Sequence, residues 1–324
     1  MGSKPVPMQR LSFISRTILA LASSLFLFIG GIGLPAAGFV LLPFVPQPVL
    51  CFGIRHGMGW GVGVLIAACI LLAIVGGKEL AYIYGIFAVA AGMLFALLGR
   101  LRAIELLVSA VAAVVFAAAG TLLYYLFGSW AVMLRDLRES LTQHMTSALS
   151  AYEKMGLSKE GLDVLKEQIP RIAETLFQLL PGLVFLSLVF VVLINVLFLC
   201  RRFPERRGEW LSNANLREWK GPEPLVWGLI ACGFALFAPG LEFLSFPALN
   251  CLLVIGACYF AQGLAIIAFF FHKNNVPRFL RGVTYLLIVF QQILTLMVVG
   301  LGLFDLWGDF RRLRKNNLTP SQAS

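Results

Sequence analysis

Polar residues are scarce in this 324-residue chain, and their scarcity already argues against a soluble globular protein. Only 13% of the residues are charged, 59% are hydrophobic, and the mean hydropathy is +0.87. A soluble globule of this size needs more polar surface than these residues supply, so lipid must solvate much of the protein. The alternating ten-residue segments typical of membrane β-barrels are also absent. Because the apolar runs have the length of membrane-crossing helices, we predict an all-α, polytopic transmembrane helical bundle.

Motifs for catalysis and metal binding are lacking as well. The sequence has only three histidines, and it contains no P-loop, G-x-S-x-G, H-E-x-x-H or protein-kinase motif. Its six cysteines form no C-x-x-C pair and lie in or at the edges of apolar runs, which is typical of small packing residues. We therefore predict that the protein is not an enzyme and that it binds no cofactor and no metal.

Acidic residues are the scarcer charged class, with 16 Asp and Glu against 26 Lys and Arg and a net charge of +10. Most basic residues lie in short links between apolar runs, which indicates topology under the positive-inside rule rather than nucleic-acid binding. With a cytoplasmic N-terminus, 15 of the 26 face the cytoplasm, and six of the other 11 lie in one acid-balanced stretch. We therefore predict a cytoplasmic N-terminus and no nucleic-acid partner.

Nine apolar runs predict about eight or nine spans, and one long polar stretch divides them. We predict an N-terminal membrane bundle of five runs, an amphipathic helical insert, a C-terminal membrane bundle of four runs and a polar tail. These segments cover residues 1–128, 129–179, 180–310 and 311–324, respectively.

Several of these runs carry a specific structural prediction. The second run, residues 37–53, contains three prolines and predicts a kinked or partly broken helix that its neighbours support. Runs 225–246 and 248–271 predict two spans joined by a tight turn at Pro247. Run 283–304 predicts one continuous span.

The polar stretch at residues 129–179 has nearly balanced charge, with six basic and seven acidic side chains. From Trp130 onward, apolar residues recur every three or four positions, as on one face of an amphipathic helix. Pro170 is predicted to bend or end a second helix. About 50 residues with one apolar face per helix cannot bury a core of their own. We therefore predict an extracytoplasmic helical hairpin that acts as a lid or a docking surface.

Uncharged amides interrupt the apolar runs. Polar residues inside spans are functional candidates by default, yet amides also serve in ordinary interhelical hydrogen bonds. A polar binding cavity and helix packing both stay open for the five candidates, which are Asn195, Asn250, Gln262, Gln291 and Gln292. No Asp or Glu lies in the middle of a run, which argues against a carboxylate-based ion relay.

Two short motifs suggest a family. One covers residues 48–57 and the other residues 302–311, and both lie at the ends of apolar runs. Together with the order of the runs and the polar insert, these motifs resemble the YybS-like family of bacterial membrane proteins, a domain of unknown function. The motif residues of interest are Arg55, His56, Gly57, Asp305, Trp307, Asp309 and Arg311.

The resemblance implies a place in the bacterial inner membrane. It also implies distant similarity to the substrate-binding S components of energy-coupling-factor vitamin transporters and to the shape-determining protein MreD, and hence a six-helix unit without a particular ligand. The long insert and three further runs set this chain apart from a plain S component. The motif residues either bond to helix ends and anchor at lipid headgroups, or they dock a partner protein.

Two functions of different classes follow. The first is S-component-like small-molecule binding related to transport, in which the amides and the broken second run line a cavity. The alternative is a membrane scaffold without transport activity that docks another envelope protein. The lipid bilayer is a partner in both cases, joined by an unidentified small molecule or by a membrane protein.

Overall fold

The computed structural model describes residues 11–154, 159–212, 216–238, 240 and 242–311. Regular secondary structure in these ranges is helical throughout, with no strand, so the predicted all-α fold is confirmed. Except for Arg311, the predicted polar tail lies outside the described residues. The α-helices are α1 (Leu11–Gly33), α2 (Pro35–Leu41), α3 (Gln47–His56), α4 (Met58–Val75), α5 (Lys78–Leu97), α6 (Ile104–Phe127), α7 (Trp130–Lys154), α8 (Lys159–Arg202), α9 (Arg207–Trp210), α10 (Leu225–Phe237), α11 (Ser245–Lys273), α12 (Arg278–Phe290) and α13 (Gln292–Gly308).

Seven segments of the described chain are long and apolar enough to cross a membrane, and α12 with α13 makes an eighth if the bent pair counts as one span. The protein is therefore a polytopic helical bundle. Helix α10 has 13 residues, or about 20 Å, which is shorter than the roughly 30 Å hydrocarbon core. The seven segments are Phe13–Gly33, Ala37–His56, Met58–Val75, Lys78–Leu97, Ile104–Phe127, Gln168–Arg202 and Ser245–Lys273.

The second span is broken, as its prolines predict. It consists of α2, a 3₁₀ turn at Leu42–Phe44 and α3. Half of its apolar window is buried, against 17% or 28% for the windows of the other six spans. The Ser24 hydroxyl of α1 donates to the Val45 carbonyl at the break over 2.8 Å, and the Tyr84 hydroxyl of α5 lies 2.9 Å from the Ser24 oxygen. Neighbouring helices therefore satisfy the backbone that the prolines free.

The second helix of the polar insert continues past Pro170, so of the two predictions for this residue, a bend or an end, only the end is wrong. Helix α7 follows the predicted amphipathic pattern, but α8 runs without interruption for 44 residues through Pro170 and Pro181. Pro170 therefore does not end a helix, and the insert continues directly into the sixth apolar run. A proline inside a helix removes one hydrogen bond, and a long helix survives this loss when other groups satisfy the freed backbone. The extracytoplasmic location of the insert stays a prediction.

The seventh and eighth runs are divided at a different place from the one predicted. Helix α10 ends at Phe237, and α11 begins at Ser245 after a 3₁₀ turn at Glu242–Leu244. Pro247 is therefore in the first turn of α11 and not in a loop. This position suits proline, because the first N–H groups of a helix have no intrahelical acceptor.

The ninth run is not continuous, contrary to the prediction. Its two helices, α12 and α13, meet at a bend of 103°. The break falls at Gln291, which has extended backbone angles. The Thr295 hydroxyl donates to the Ile288 carbonyl over 2.6 Å, so a side chain of α13 satisfies a backbone group that the bend exposes.

Contacts divide the chain into two compact units, and both α7 and α8 run from one unit into the other. Unit 1 contains residues 1–134 and 187–212, and unit 2 contains residues 135–186 and 213–324. The core of unit 1 includes Phe28 and Tyr84, whose rings pack edge to face 5.2 Å apart. The predicted division into two membrane bundles, an insert and a tail was based on sequence composition, whereas these two units are defined by contacts. That division therefore stays a prediction.

The core of unit 2 rests on the close packing of α11 against α13. A Cβ atom at Gly263 would overlap the Val298 carbonyl oxygen, and one at Gly302 would overlap the Tyr259 carbonyl oxygen. Glycine therefore allows the two backbones to touch at two points, as small residues do between membrane helices.

Candidate functional site

The Arg55-His56-Gly57 motif forms the C-terminal end of α3. Gly57 ends the helix with a φ of +115°, a conformation that favours glycine. The His56 ring stacks on Phe52 with a centroid distance of 4.7 Å, and its Nδ1 lies 3.1 Å from the Phe52 carbonyl oxygen. Its Nε2 lies 3.4 Å from Arg16 Nη1. Because arginine can only donate, these contacts fit a neutral imidazole with its proton on Nδ1.

Beside this motif is an open cavity of about 430 Å³, which we call the arginine cavity. Its lining residues are Ile54, Arg55, Arg202, Phe203, Glu205 and Arg206. The guanidinium carbons of Arg55 and Arg202 lie 5.6 Å and 6.0 Å from the centroid of the Phe203 ring. The end of α3, the end of α8 and the 3₁₀ turn at Pro204–Arg206 thus bring three guanidinium groups and one carboxylate around a single space.

The three arginines of the cavity differ in how their hydrogen-bonding groups are used. Arg206 donates from Nη1 to the Ile54 carbonyl over 3.3 Å, so it satisfies a carbonyl in the last turn of α3. In the described part of the chain, the Arg55 and Arg202 guanidinium groups contact the Phe203 ring and have no hydrogen-bond acceptor. Their planar sets of N–H donors are free to bind a carboxylate or phosphate.

The segment that follows the cavity residues, 207–212, is held to other residues of unit 1. Arg102 Nη2 donates to the Gly208 carbonyl over 2.6 Å, and the Ser212 N–H donates to the Arg102 carbonyl over 2.9 Å. The buried ring of Trp210 packs edge to face against Phe203. Contacts of Phe203 before Arg206, and of Gly208 and Ser212 after it, therefore hold this segment in place.

A second, smaller cavity of about 230 Å³ lies between α1 and α3, and we call it the α1–α3 groove. Its walls are mostly apolar or small side chains, and Arg55 lines it together with the arginine cavity. The remaining lining residues are Arg16, Leu19, Ala20 and Ser23 on α1 and Pro48, Cys51, Phe52 and His56 on α3.

Asn195 supports the break in the second span. Its Nδ2 donates to the Pro43 carbonyl over 2.8 Å and to the Val191 carbonyl over 2.7 Å. The buried Gln47 donates from Nε2 to the Asn195 carbonyl over 2.9 Å. Since both partners of Nδ2 are acceptors, the orientation of the amide is fixed. Asn195 Oδ1 has no hydrogen-bond partner among the described residues.

Asn250 of α11 inserts its amide into the backbone ladder of α8 beside Pro181. Its Oδ1 accepts from the Gly182 N–H over 2.7 Å, and its Nδ2 donates to the Gln178 carbonyl over 2.9 Å. Residues 178 and 182 are the i and i+4 pair that an uninterrupted helix would bond directly. One amide therefore supplies a partner to both a backbone N–H and a backbone carbonyl of α8 in the turn that contains Pro181.

Gln262 joins the C-terminal motif in a polar cluster within unit 2. Its Oε1 accepts from the Gly221 N–H over 3.1 Å, and its Nε2 donates to Asp305 Oδ2 over 3.2 Å. Asp305 and Arg311 form an ion pair of 2.8 Å, with both side chains fully buried. Arg311 also donates to the carbonyls of Arg217 and Trp219 over 2.7 Å and 3.0 Å. The motif thus holds the segment 217–221 against the C-terminal end of α13 and the middle of α11.

The other two residues of this motif have different surroundings. Asp309 has a positive φ of 36° and forms an ion pair of 2.8 Å with Lys220. Trp307 is 67% exposed, which suits a ring that faces lipid or headgroups. Arg311, with 3% exposure, is not at an open edge where its guanidinium could contact a headgroup or a partner.

The four candidate amides of unit 2 do not line one space. Asn250 and Gln262 are 12 positions apart on α11, or about 18 Å along the axis. Gln291 and Gln292 are exposed at the corner between α12 and α13. Asn195, Asn250 and Gln262 are each engaged by hydrogen bonds to backbone groups, which is a packing role.

Sequence reasoning missed several residues that matter here. Ser24, Gln47 and Tyr84 support the broken span, and only the prolines of that span indicated that such support was needed. Arg202 and Arg206 were interpreted as topology signals, and nothing in their spacing indicated that they share a cavity with Arg55. Among the described residues, no group of three or more His, Cys, Asp or Glu side chains could hold a metal ion.

Comparison with known proteins gives a family for the chain. Residues 20–306 match the family model described as "Predicted membrane protein (DUF2232)", and the chain therefore belongs to this family. No curated protein and no solved structure matches it.

Proposed function

We propose that this member of the predicted membrane protein family is a binding protein for an anionic small molecule, which it holds at the arginine cavity in a transport-related role. The single observation that carries this proposal is a pair of guanidinium groups, Arg55 and Arg202, which lie within about 6 Å of the Phe203 ring centre and have no hydrogen-bond acceptor among the described residues. The protein would bind its ligand without transforming it, and it would need no cofactor.

The electrostatics of the cavity favour an anion. Helix C-termini carry partial negative charge, which would repel an anion at the end of α3. Arg206 offsets this charge by donating to the Ile54 carbonyl, so Arg55 and Arg202 keep their donors for a ligand. Two guanidinium forks suit a phosphate or carboxylate group, because each can form paired, charge-assisted hydrogen bonds. The lining contains three arginines and one glutamate, Glu205, so its net charge is positive.

The resemblance to the YybS-like family and to S components adds a biological setting to this proposal. S components bind a small molecule within a helical bundle, and an anion site at a helix end fits that kind of role. Under the positive-inside rule, the arginine-rich ends of α3 and α8 face the cytoplasm of a bacterial inner membrane. The ligand site would then open to the cytoplasmic side, on the same side as the N-terminus.

A thermal-stability screen of the purified protein tests the proposal. A panel of phosphates and carboxylates should contain compounds that raise the melting temperature, since a ligand at 100 times its Kd stabilises the native state by about 2.7 kcal/mol. Arg55→Gln and Arg202→Gln should each abolish the shift. Arg135→Gln, which changes an arginine with a 70% exposed side chain on α7, serves as the matched control. Shifts that persist in both cavity variants, or a panel without any stabiliser, would refute the proposal.

A membrane scaffold is the second candidate, and the α7–α8 contact favours it. Arg138 forms an ion pair of 2.9 Å with Glu174 and lies 4.8 Å from the centroid of the Phe177 ring. These contacts fix α7 on α8 and leave the polar face of α7 directed outward. In a scaffold, deletion of residues 135–171 should release a co-purifying envelope protein while the remaining spans stay folded. Unchanged co-purification would argue against this function.

A further inference from the structure

The α1–α3 groove lies beside the arginine cavity, between two helices. Arg55 lines both spaces, so the charged cavity and the groove adjoin at this residue. Arg16 and His56 complete the polar end of the groove. A ligand bound to Arg55 through an anionic group therefore has an apolar path open beside it.

The groove is polar at one end and mostly apolar along the rest of its length, which matches an amphiphilic ligand. Along α1, the lining passes from Arg16 to Ser23 in seven positions, and along α3 it passes back from Arg55 to Pro48 in seven positions. Seven helical residues correspond to about 10 Å. One end of the groove is thus cationic, and the other end lies about two helical turns inside the apolar part of the bundle.

Small side chains make room for a chain-like occupant. Ala20 and Ser23 form the α1 wall, and larger residues at these positions would fill the groove. Leu19, which also lines the groove, is 65% exposed and would contact both the occupant and the surrounding lipid. The groove is open along its side, so an acyl chain could enter it from the bilayer.

We propose that the occupant is an anionic phospholipid, with its phosphate between Arg55 and Arg16 or Arg202 and the upper part of one acyl chain in the α1–α3 groove. This inference rests on the proposed anion site and names its ligand class. A lipid with a net negative headgroup matches the arginine cluster, as basic pockets between membrane helices do. A zwitterionic lipid would bring an ammonium group toward the guanidinium groups, and like charges repel.

The test uses the full-length protein in detergent with three probes. These are dioleoyl phosphatidylglycerol, dioleoyl phosphatidylcholine and the soluble compound glycerol 3-phosphate, each measured by native mass spectrometry and by thermal shift. We expect phosphatidylglycerol to bind at least about tenfold more tightly than either other probe. This comparison is made on the unaltered protein, so it does not depend on whether any variant folds.

Two variants separate the headgroup from the acyl chain. Arg55→Gln should weaken phosphatidylglycerol binding by about tenfold or more, because it removes a charge-assisted contact. Ser23→Leu should weaken phosphatidylglycerol binding by a similar factor and leave glycerol 3-phosphate binding unchanged. Ala22→Leu, on the exposed side of α1, is the matched control and should change neither.

The outcomes distinguish the lipid proposal from the anion site on which it rests. If glycerol 3-phosphate binds as tightly as phosphatidylglycerol, or if Ser23→Leu has no effect, the ligand is a soluble anion and the lipid proposal is refuted while the anion site stands. Equal binding of phosphatidylcholine and phosphatidylglycerol also overturns the lipid proposal. If neither phosphatidylglycerol nor any soluble anion binds, both proposals fail.

Discussion

The insertion of Asn250 into α8 predicts that the cost of removing its amide depends on Pro181. The Asn250 amide pairs with the Gly182 N–H and the Gln178 carbonyl, in the turn of α8 that Pro181 weakens because proline has no N–H of its own. Asn250→Leu keeps approximately the same volume and removes both side-chain bonds. The two backbone groups of α8 then lose these partners beside the proline.

The magnitude follows from the two lost bonds. A buried polar group left without a partner costs about 1–3 kcal/mol, and hydrogen bonds between membrane helices average about 0.6 kcal/mol in measured cases. We therefore expect Asn250→Leu to lower the free energy of unfolding by about 1–3 kcal/mol. Replacement of Cys251, the exposed neighbour on α11, by alanine should cost less than about 0.5 kcal/mol.

Pro181→Ala supplies the second half of the double-mutant cycle. Alanine restores the N–H at position 181 and removes the ring that crowds the carbonyl four residues earlier, so this turn of α8 can straighten and depend less on the Asn250 amide. In this background Asn250→Leu should cost little, which gives a coupling energy of about 1–2 kcal/mol between the two positions.

Equilibrium unfolding of the four proteins in mixed micelles with increasing dodecyl sulfate, followed by circular dichroism, measures this cycle. Strictly additive effects of the two substitutions would show that Asn250 does not act through the proline break. A coupling energy near zero would refute the argument even if Asn250→Leu alone were destabilising.

Two further predictions concern α13. Gly302→Ala should lower the free energy of unfolding by about 1–3 kcal/mol, because the new Cβ overlaps a carbonyl oxygen of α11. Gly300→Ala, with nothing within 4 Å, should be nearly neutral in the same unfolding assay, and equal effects would contradict the proposed contact. Asp305→Asn should cost about 3–5 kcal/mol by leaving the buried Arg311 charge unpaired. Asp136→Asn on the surface of α7 should cost about 1 kcal/mol or less, and a similar loss in both variants would refute this distinction.

The sequence predicted features that depend on local chemistry. Long apolar runs indicated the spans, because a membrane-crossing backbone must satisfy its own hydrogen bonds. The three prolines of the second run predicted its break, since each removes an N–H group from the helix. The amphipathic pattern after Trp130 predicted α7, because its period is a property of the helix itself.

Features that depend on tertiary contacts could not be predicted from the sequence in the same way. The break at Gln291 has neither proline nor glycine at its centre, whereas Pro170 and Pro181 do not end α8. Whether a helix continues at such points depends on which side chain satisfies the backbone, and beside Pro181 that side chain belongs to Asn250, 68 positions along the chain from Gly182. Asp305 was placed outside the ninth run, so its burial against Arg311 was not anticipated.

Polar residues in the spans of this protein follow one physical rule. Asn195 donates to the Pro43 carbonyl at the break in the second span, and Asn250 accepts from the Gly182 N–H beside Pro181. An amide carries both a donor and an acceptor without charge, so it can replace a missing backbone partner at low desolvation cost. The N–H donors of these amides are already engaged, and the unpaired Asn195 Oδ1 is an acceptor, so neither amide offers a free donor to an anion. Arg55 and Arg202, whose donors are free among the described residues, are for this reason better candidates for binding than the intramembrane amides.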